Sequence, residues 1–256
     1  SMNTMNRRHL MKQSLIAGVA PLIPLPLIAD HNSDSLPLTR SQVLGPFYPL
    51  DGRNTDTIIP ETPPNFDLVD VRTPDGLLPR PLGKILHFNG QVLNRDGHAL
   101  SGAVVELWNA DANGWYIDPD SIGPSTTVRD VNFQGFGSLV SSEHGAFSFR
   151  SVRPSPYPLG GGVSRASHLH VIVKVRGVIR LTTQLYFKDE LNTWLAQDPI
   201  HELYDPSRPD DLTEISPNLI DVVETLDHEG NVVLTGHKNL VIDESSTSNA
   251  NYLSGI

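Results

Sequence analysis

The chain has 256 residues, a formal charge of −10, 21 prolines, 20 glycines and no cysteine. That length suits one large domain or two small ones, and the acidic balance argues against a general affinity for nucleic acid or anionic membrane. The missing cysteine excludes disulfides, zinc fingers, iron–sulfur clusters and thiol nucleophiles, so any bound metal must rely on His, Tyr, Asp, Glu or Asn.

Ser1 ahead of Met2 reads as an expression remnant. Asn6-Arg-Arg-His-Leu-Met-Lys12 closely resembles the twin-arginine export motif, and an uncharged apolar run, Ser14 to Ala29, follows it. Pro21, Pro24 and Pro26 interrupt that run, which is too short for a stable membrane span. The expectation is a cleaved signal over residues 1–29 and a protein exported to the periplasm or the extracellular space. That route carries folded proteins, often with cofactor already bound.

Residues 30–83 form a Pro-rich arm, with eight prolines between positions 42 and 82, and read as extended chain over a surface. Strand signals begin at Lys84. Ile85–Leu93 ends at the turn Asn94-Arg-Asp-Gly97, and Ala103–Trp108 is the next strand. Gly145–Arg150 alternates cleanly, and His168–Val175 is long and β-branched. Arg180–Phe187 follows a turn at Arg176-Gly177, and Glu190–Tyr204 has room for a short helix. Asn231–Leu234 and Asn239–Ile242 close the set, before a Ser/Asn-rich tail over 244–256. The pattern predicts an all-β fold, a β-sandwich core over 84–243 with long loops and few short helices.

Two histidines and two tyrosines carry the chemistry. His168 and His170 stand at i and i+2 of a predicted strand, so both imidazoles face one point. Tyr157 lies upstream in Arg153-Pro-Ser-Pro-Tyr-Pro158, and Tyr116 ends Trp108-Asn-Ala-Asp-Ala-Asn-Gly-Trp-Tyr116. A His-x-His pair or a Tyr in a Pro-rich turn is by itself commonplace; the combination matters. Phenolate oxygen with imidazole nitrogen suits a hard, highly charged ion, and Fe(III) is the natural occupant.

The blocks around these residues resemble the intradiol ring-cleavage dioxygenases, the catechol, hydroxyquinol and protocatechuate dioxygenases. The likeness runs through Gly90–Tyr116, Asp130–Gly137, Gly145–Pro158, Arg165–His170 and Leu181–Phe187. Ser41-Gln-Val-Leu-Gly-Pro-Phe47 also resembles the amino-terminal arm that lines the substrate pocket of protocatechuate dioxygenase subunits. The Gly/Ala-Val-Val-Glu block is shared by many non-enzymatic β-sandwich modules, whereas the ordered Tyr…Pro-x-Pro-Tyr-Pro…Arg-x-x-His-x-His…Thr-Gln-Leu-Tyr-Phe set is far more specific. The resemblance implies Fe(III) held by Tyr116, Tyr157, His168 and His170, with Tyr157 and His170 axial and Tyr116 and His168 equatorial. It makes Arg165 and Gln184 the pair beside the substrate, with Gln184 fixing Arg165. It implies a small catechol and O2 as reactants, both oxygen atoms entering a muconate-type diacid. A homo-oligomer is compatible with it, since relatives assemble in several ways.

The substrate pocket is expected at Gly45, Pro46, Phe47, Leu159 and Gly160. Protocatechuate-cleaving relatives carry Trp-Arg after the Pro-Tyr-Pro turn, where this chain has Leu159-Gly-Gly-Gly162. Two alternatives stay open: a family-like ferric metalloenzyme with altered chemistry on a phenolic metabolite, and a non-catalytic β-sandwich binding module. Tyr186 shares the face of Gln184 and reads as packing. Trp108 and Trp115 are expected to frame the pocket or core near Tyr116. Glu106 and Asp111 read as structural, and His87, His98, His144, His201, His228 and His237 as turn or surface residues.

Overall fold

A computed structural model describes residues 35–49, 66–73 and 75–246, and among these described residues thirteen strands and three single-turn 3-10 helices make up the regular structure. The expected export signal, much of the Pro-rich arm and the tail beyond 246 lie outside the described residues. In chain order the strands are β1 (Arg72–Thr73), β2 (Gly76–Leu77), β3 (Ile85–Asn94), β4 (Val104–Trp108), β5 (Phe136–Val140) and β6 (Ala146–Val152). They continue with β7 (Tyr157–Gly160), β8 (Val163–Arg165), β9 (His168–Val175), β10 (Val178–Phe187), β11 (Leu219–Leu226), β12 (Val232–His237) and β13 (Leu240–Ile242). The 3-10 turns are Lys188–Glu190, Leu195–Gln197 and Ser216–Asn218. The fold is all-β and sandwich-like.

Nine strands join one large sheet in the order β13-β3-β12-β11-β10-β9-β4-β5, with β6 paired to β3. The expected strands form close to their predicted bounds. β12 runs past its expected end because Gly236 leaves room for Ile220 and Val222, which a Cβ there would approach to 2.8 and 3.2 Å. Composition did not single out β5, β11 or the β7–β8 hairpin. β11 is short of buried side chains after Ile220, so its alternation is faint.

β9 positions the site. It lies antiparallel between β4 and β10 and is buried on both faces along most of its length. Leu169, Val171, Val173 and Val175 point into the main core with Val105, Leu107, Leu181, Leu185, Phe88 and Phe149. Residues of the other parity, His168, His170 and Ile172, therefore face the opposite side. There Ile172 packs with Leu44, Trp108, Tyr116, Ile117, Phe136 and Tyr157.

The arm crosses this second side and is pinned to β10. Gln42 N donates to Thr182 O at 3.0 Å, and Thr183 Oγ1 donates to Arg40 O at 2.6 Å. Asn218 is fully buried and ties the same joint. Its Nδ2 donates to Arg40 O, Thr183 Oγ1 and Gln184 O, each at 2.9 Å, and its Oδ1 accepts Arg40 N at 2.8 Å. Asn218→Ala strands these buried groups, and each unsatisfied group costs about 1–3 kcal/mol. The variant is expected to unfold at lower urea concentration and to be cut by protease within residues 36–44 while the sheet remains resistant.

Candidate functional site

Three donor atoms meet beneath the arm. Tyr116 Oη lies 3.1 Å from His168 Nε2 and 3.0 Å from His170 Nε2, and the two Nε2 atoms are 3.1 Å apart. The tautomer of His168 is set by its own turn, because Nδ1 donates to Ala166 O at 2.6 Å. Its Nε2 therefore presents a bare lone pair. Protons on Tyr116 Oη and His170 Nε2 can fill at most two edges of the triangle. At least one edge brings lone pair against lone pair, an arrangement that calls for a cation.

Tyr157 completes the ring of aromatic walls, edge-on to Tyr116 at 5.5 Å between centroids and 5.8 Å from the His168 ring. The β7–β8 hairpin sets it directly opposite Arg165. Trp108, opposite His170 across the β4–β9 pairing, stacks on that imidazole at 4.8 Å and 12°. On the other flank, Gln184 pairs with His170 and Tyr186 with His168 across β9–β10. Tyr116, Tyr157, Arg165, His168, His170 and Gln184 are all buried, none more than 6% exposed.

The electrostatics follow from that burial. Desolvation pushes both histidines well below the usual imidazole range, and the Arg165 charge pushes the same way, so both rings are neutral. Burial likewise raises both phenols, Tyr116 the more strongly, with Tyr157 beside it adding to the rise and Arg165 opposing it. Burial pulls the Arg165 guanidinium down, but Tyr157, Tyr186, Asp198 and Tyr116 together hold it above its ordinary value.

Arg165 is the hub. Its Nε donates to both Asp198 oxygens, at 3.1 and 2.9 Å, and its Nη2 to Gln184 Oε1 at 2.5 Å. Gln184 Nε2 donates to Val43 O of the arm at 2.8 Å. The Tyr186 hydroxyl lies 3.1 Å from both Gln184 Oε1 and Gln42 Oε1, so this aromatic joins the polar network as well as packing.

The arm touches the site where expected. A Cβ on Gly45 would stand 3.1 Å from His170 Cε1, and Phe47 lies 5.0 Å from the Tyr116 ring. Pro46 sits between them. Leu159 and Gly160 are at the exposed tip of the β7–β8 hairpin. Glu106 accepts from Tyr48 and pairs with Lys174, and Asp111 accepts three backbone N–H groups; both are structural. Trp115 Nε1 donates to Thr127 at 3.0 Å.

One histidine was misplaced by the sequence reading. His201 is buried, not a surface residue. Its Nε2–H donates to Leu195 O at 3.0 Å and its Nδ1 accepts Leu203 N and Tyr204 N, which makes it a staple for the loop after β10. Asp198, on that loop, went unnoticed. It lies 33 residues from Arg165 and no spacing rule connects them; an Asp before Pro199 in a loop signals only a turn.

Two outcomes follow. Gly45 has φ +80°, so Gly45→Ala both strains the backbone, by about 1–2 kcal/mol, and presses on His170; a lower melting temperature and a weakened metal affinity are expected, read by calorimetry and metal titration. Acid should also unfold the metal-free protein. As pH falls below the usual 6.5, unfolded His168 and His170 take up protons that the folded rings refuse, so stability drops as pH decreases. Urea midpoints between pH 7 and 5 check the slope, which His168→Gln with His170→Gln should flatten.

Comparison with known proteins identifies the family. The family model described as Dioxygenase matches residues 59–208. The protocatechuate 3,4-dioxygenase beta chain of Burkholderia cepacia is 29% identical over 203 residues, covering 75% of this chain and 83% of that one. The hydroxyquinol 1,2-dioxygenase of a Rhizobium strain is 28% identical over 190 residues, 68% of this chain but only 55% of that relative. Among solved structures, the intradiol ring-cleavage dioxygenase of Tetranychus urticae shares the fold with a TM-score of 0.54 at 17% identity, over 84% of this chain and 98% of that one. A Streptomyces dioxygenase domain matches with a TM-score of 0.51 at 24% identity, over 81% and 99%. The chain belongs to the intradiol ring-cleavage dioxygenase family.

Proposed function

We propose that the protein is an Fe(III)-dependent dioxygenase that opens a catechol-type ring between its two hydroxyl-bearing carbons, placing both atoms of O2 in a muconate-type diacid. The observation that carries this reading is the triangle of Tyr116 Oη, His168 Nε2 and His170 Nε2, with edges of 3.0–3.1 Å. Donors at right angles around an ion with bonds of about 2.1 Å stand about 3.0 Å apart. Among the described residues no three His, Cys, Asp or Glu side chains gather as a metal cluster, so phenol oxygen must take part in any such site. Phenols held protonated by burial and imidazoles held neutral fit a hard, strongly acidic cation. Tyr116, Tyr157, His168 and His170 would hold it. A bound Fe(III) would supply the Lewis acidity that ionises the phenols and lets a catechol chelate it and react with O2.

The protein's own groups do the rest. Tyr157, on the β7–β8 hairpin rather than on the large sheet, would accept a catechol proton once ionised. The Arg165 guanidinium stays cationic and stabilises negative charge on the ring and its oxygens. Gln184 anchors Arg165 to the arm, and the stack of Trp108 on His170 holds that ring in place. Gly45, Pro46 and Phe47 close one side and exclude water. Leu159 and Gly160 bring no cation to the hairpin tip, which favours a neutral or substituted catechol over a carboxylated one.

The test is product analysis under labelled dioxygen with a panel of catechols. Iron-loaded protein should be red-brown, consume O2 without a reductant and yield a diacid carrying both labelled atoms, with catechol or alkyl-catechols preferred over protocatechuate. Colourless, iron-free protein after iron-replete expression would instead favour a binding module, and O2 uptake without a ring-opened product would favour altered chemistry. Tyr157→Phe should retain iron, alter the visible band and slow turnover by about 10²–10⁴-fold. We also propose twin-arginine export. Arg7→Lys with Arg8→Lys should leave the precursor in the cytoplasm, and unaffected export would refute the route.

A further inference from the structure

We propose that Asp198 is the positioning residue of this site, a single carboxylate that orients both Arg165 and the peptide that orients His168. Its two oxygens accept four contacts. Arg165 Nε reaches both, at 3.1 and 2.9 Å; Ala166 N reaches Oδ2 at 2.9 Å; and Ile200 N reaches Oδ1 at 2.9 Å. The side chain of Asp198 is fully buried and that of Arg165 is 4% exposed. Ala166 is the residue whose carbonyl takes the His168 Nδ1 proton. The carboxylate thus holds both the charged group and the backbone of the four-residue segment Arg165–His168 that ends in the imidazole.

Geometry explains why an acid is needed. A guanidinium has a rigid fork of five N–H groups. Asp198 occupies the Nε edge and Gln184 takes Nη2, so the remaining N–H groups turn toward Tyr157 and Tyr186, the phenols beside it. Without an acceptor on the Nε edge the fork is free to rotate about the end of its stem. The loop that carries Asp198 is built for rigidity. The His201 ring ties Leu195 O to Leu203 N and Tyr204 N, and Leu195, Tyr204, Ile215 and Leu219 pack with Tyr186 and Ala166 beneath it.

This inference rests on the dioxygenase reading for its kinetic arm only. Asp198→Asn keeps the shape but sets an N–H group against Arg165 Nε and against either Ala166 N or Ile200 N. It should retain bound iron and the visible band while lowering kcat by about 10–100-fold, the range expected for a misplaced group near the reacting atoms, with KM far less affected. In arginine-labelled protein, the Arg165 Nε–H resonance should be protected from exchange in the parent and lose protection in Asp198→Asn, whether or not the enzyme turns over. In an Arg165→Met background the Asp198→Asn change should cost much less activity than in the parent, leaving only the part that runs through Ala166 and His168. Should Asp198→Asn alone not fold, the double variant, which removes both members of the buried pair, should fold. Wild-type turnover and unchanged Nε–H protection in Asp198→Asn would overturn the proposal, as would additive losses or a double variant that cannot fold. If iron-loaded parent protein cleaves no catechol, the dioxygenase reading fails, and the exchange measurement still decides the role of Asp198.

Discussion

Everything at the site depends on the register of β9 between β4 and β10. Because side chains alternate along a strand, His168 and His170 share a face only while Leu169, Val171 and Val173 occupy the core. Slippage by one residue would bury the imidazoles among Phe88 and Phe149 and turn three aliphatic side chains toward Trp108 and the tyrosines, so the hydrophobic core itself enforces the alignment. The same register delivers the neighbours. Trp108 arrives opposite His170 from β4, while Gln184 and Tyr186 arrive opposite His170 and His168 from β10. A set of residues distant in sequence is thus assembled by two strand pairings, without loop adjustments.

Burying that set has an electrostatic cost that the fold has to offset locally. Arg165 is a full charge out of water, and isolated buried charges are unfavourable by several kcal/mol. Asp198 balances the charge, Gln184 and the phenols satisfy the remaining N–H groups, and burial, with Arg165 adding to it, holds the two histidines well below the usual imidazole range. The guanidinium therefore acts twice. It favours anionic oxygen on the phenols and opposes protonation of the imidazoles, the two conditions that the proposed cation would need.

Much of this was legible in the sequence, for physical reasons that differ between elements. β9 and β10 are β-branched or alternating over eight and ten residues, and their signals survive without context. The arm was readable by its Gly-Pro-Phe motif, and its contact with His170 follows from a glycine at φ +80° that has no side chain to hold the ring away. Elements that answer to tertiary contacts were not readable. β7 and β8 are four and three residues long and owe their pairing to Tyr157 and Arg165. His201 looked like a polar loop residue, yet its ring replaces backbone partners for three loop groups and is buried by that role. Asp198 is silent in sequence because a carboxylate that serves an arginine from another element leaves no periodic trace.

The placement of Leu159 to Gly162 sets the tip of the hairpin apart from its base. Tyr157 and Arg165 sit at the base of the β7–β8 hairpin, paired with each other and buried. The tip between them is exposed, and its three glycines all have positive φ with nothing within 4 Å of where a Cβ would be. Side chains there would meet backbone strain before they met a neighbour. Volume at the tip can therefore change with little effect on the donors, provided the left-handed turn is kept. Changes at Gly45 act differently, since any Cβ meets His170 directly. Of the two regions expected to shape the pocket, the hairpin tip is free to vary, whereas the arm is locked to the donor set it covers.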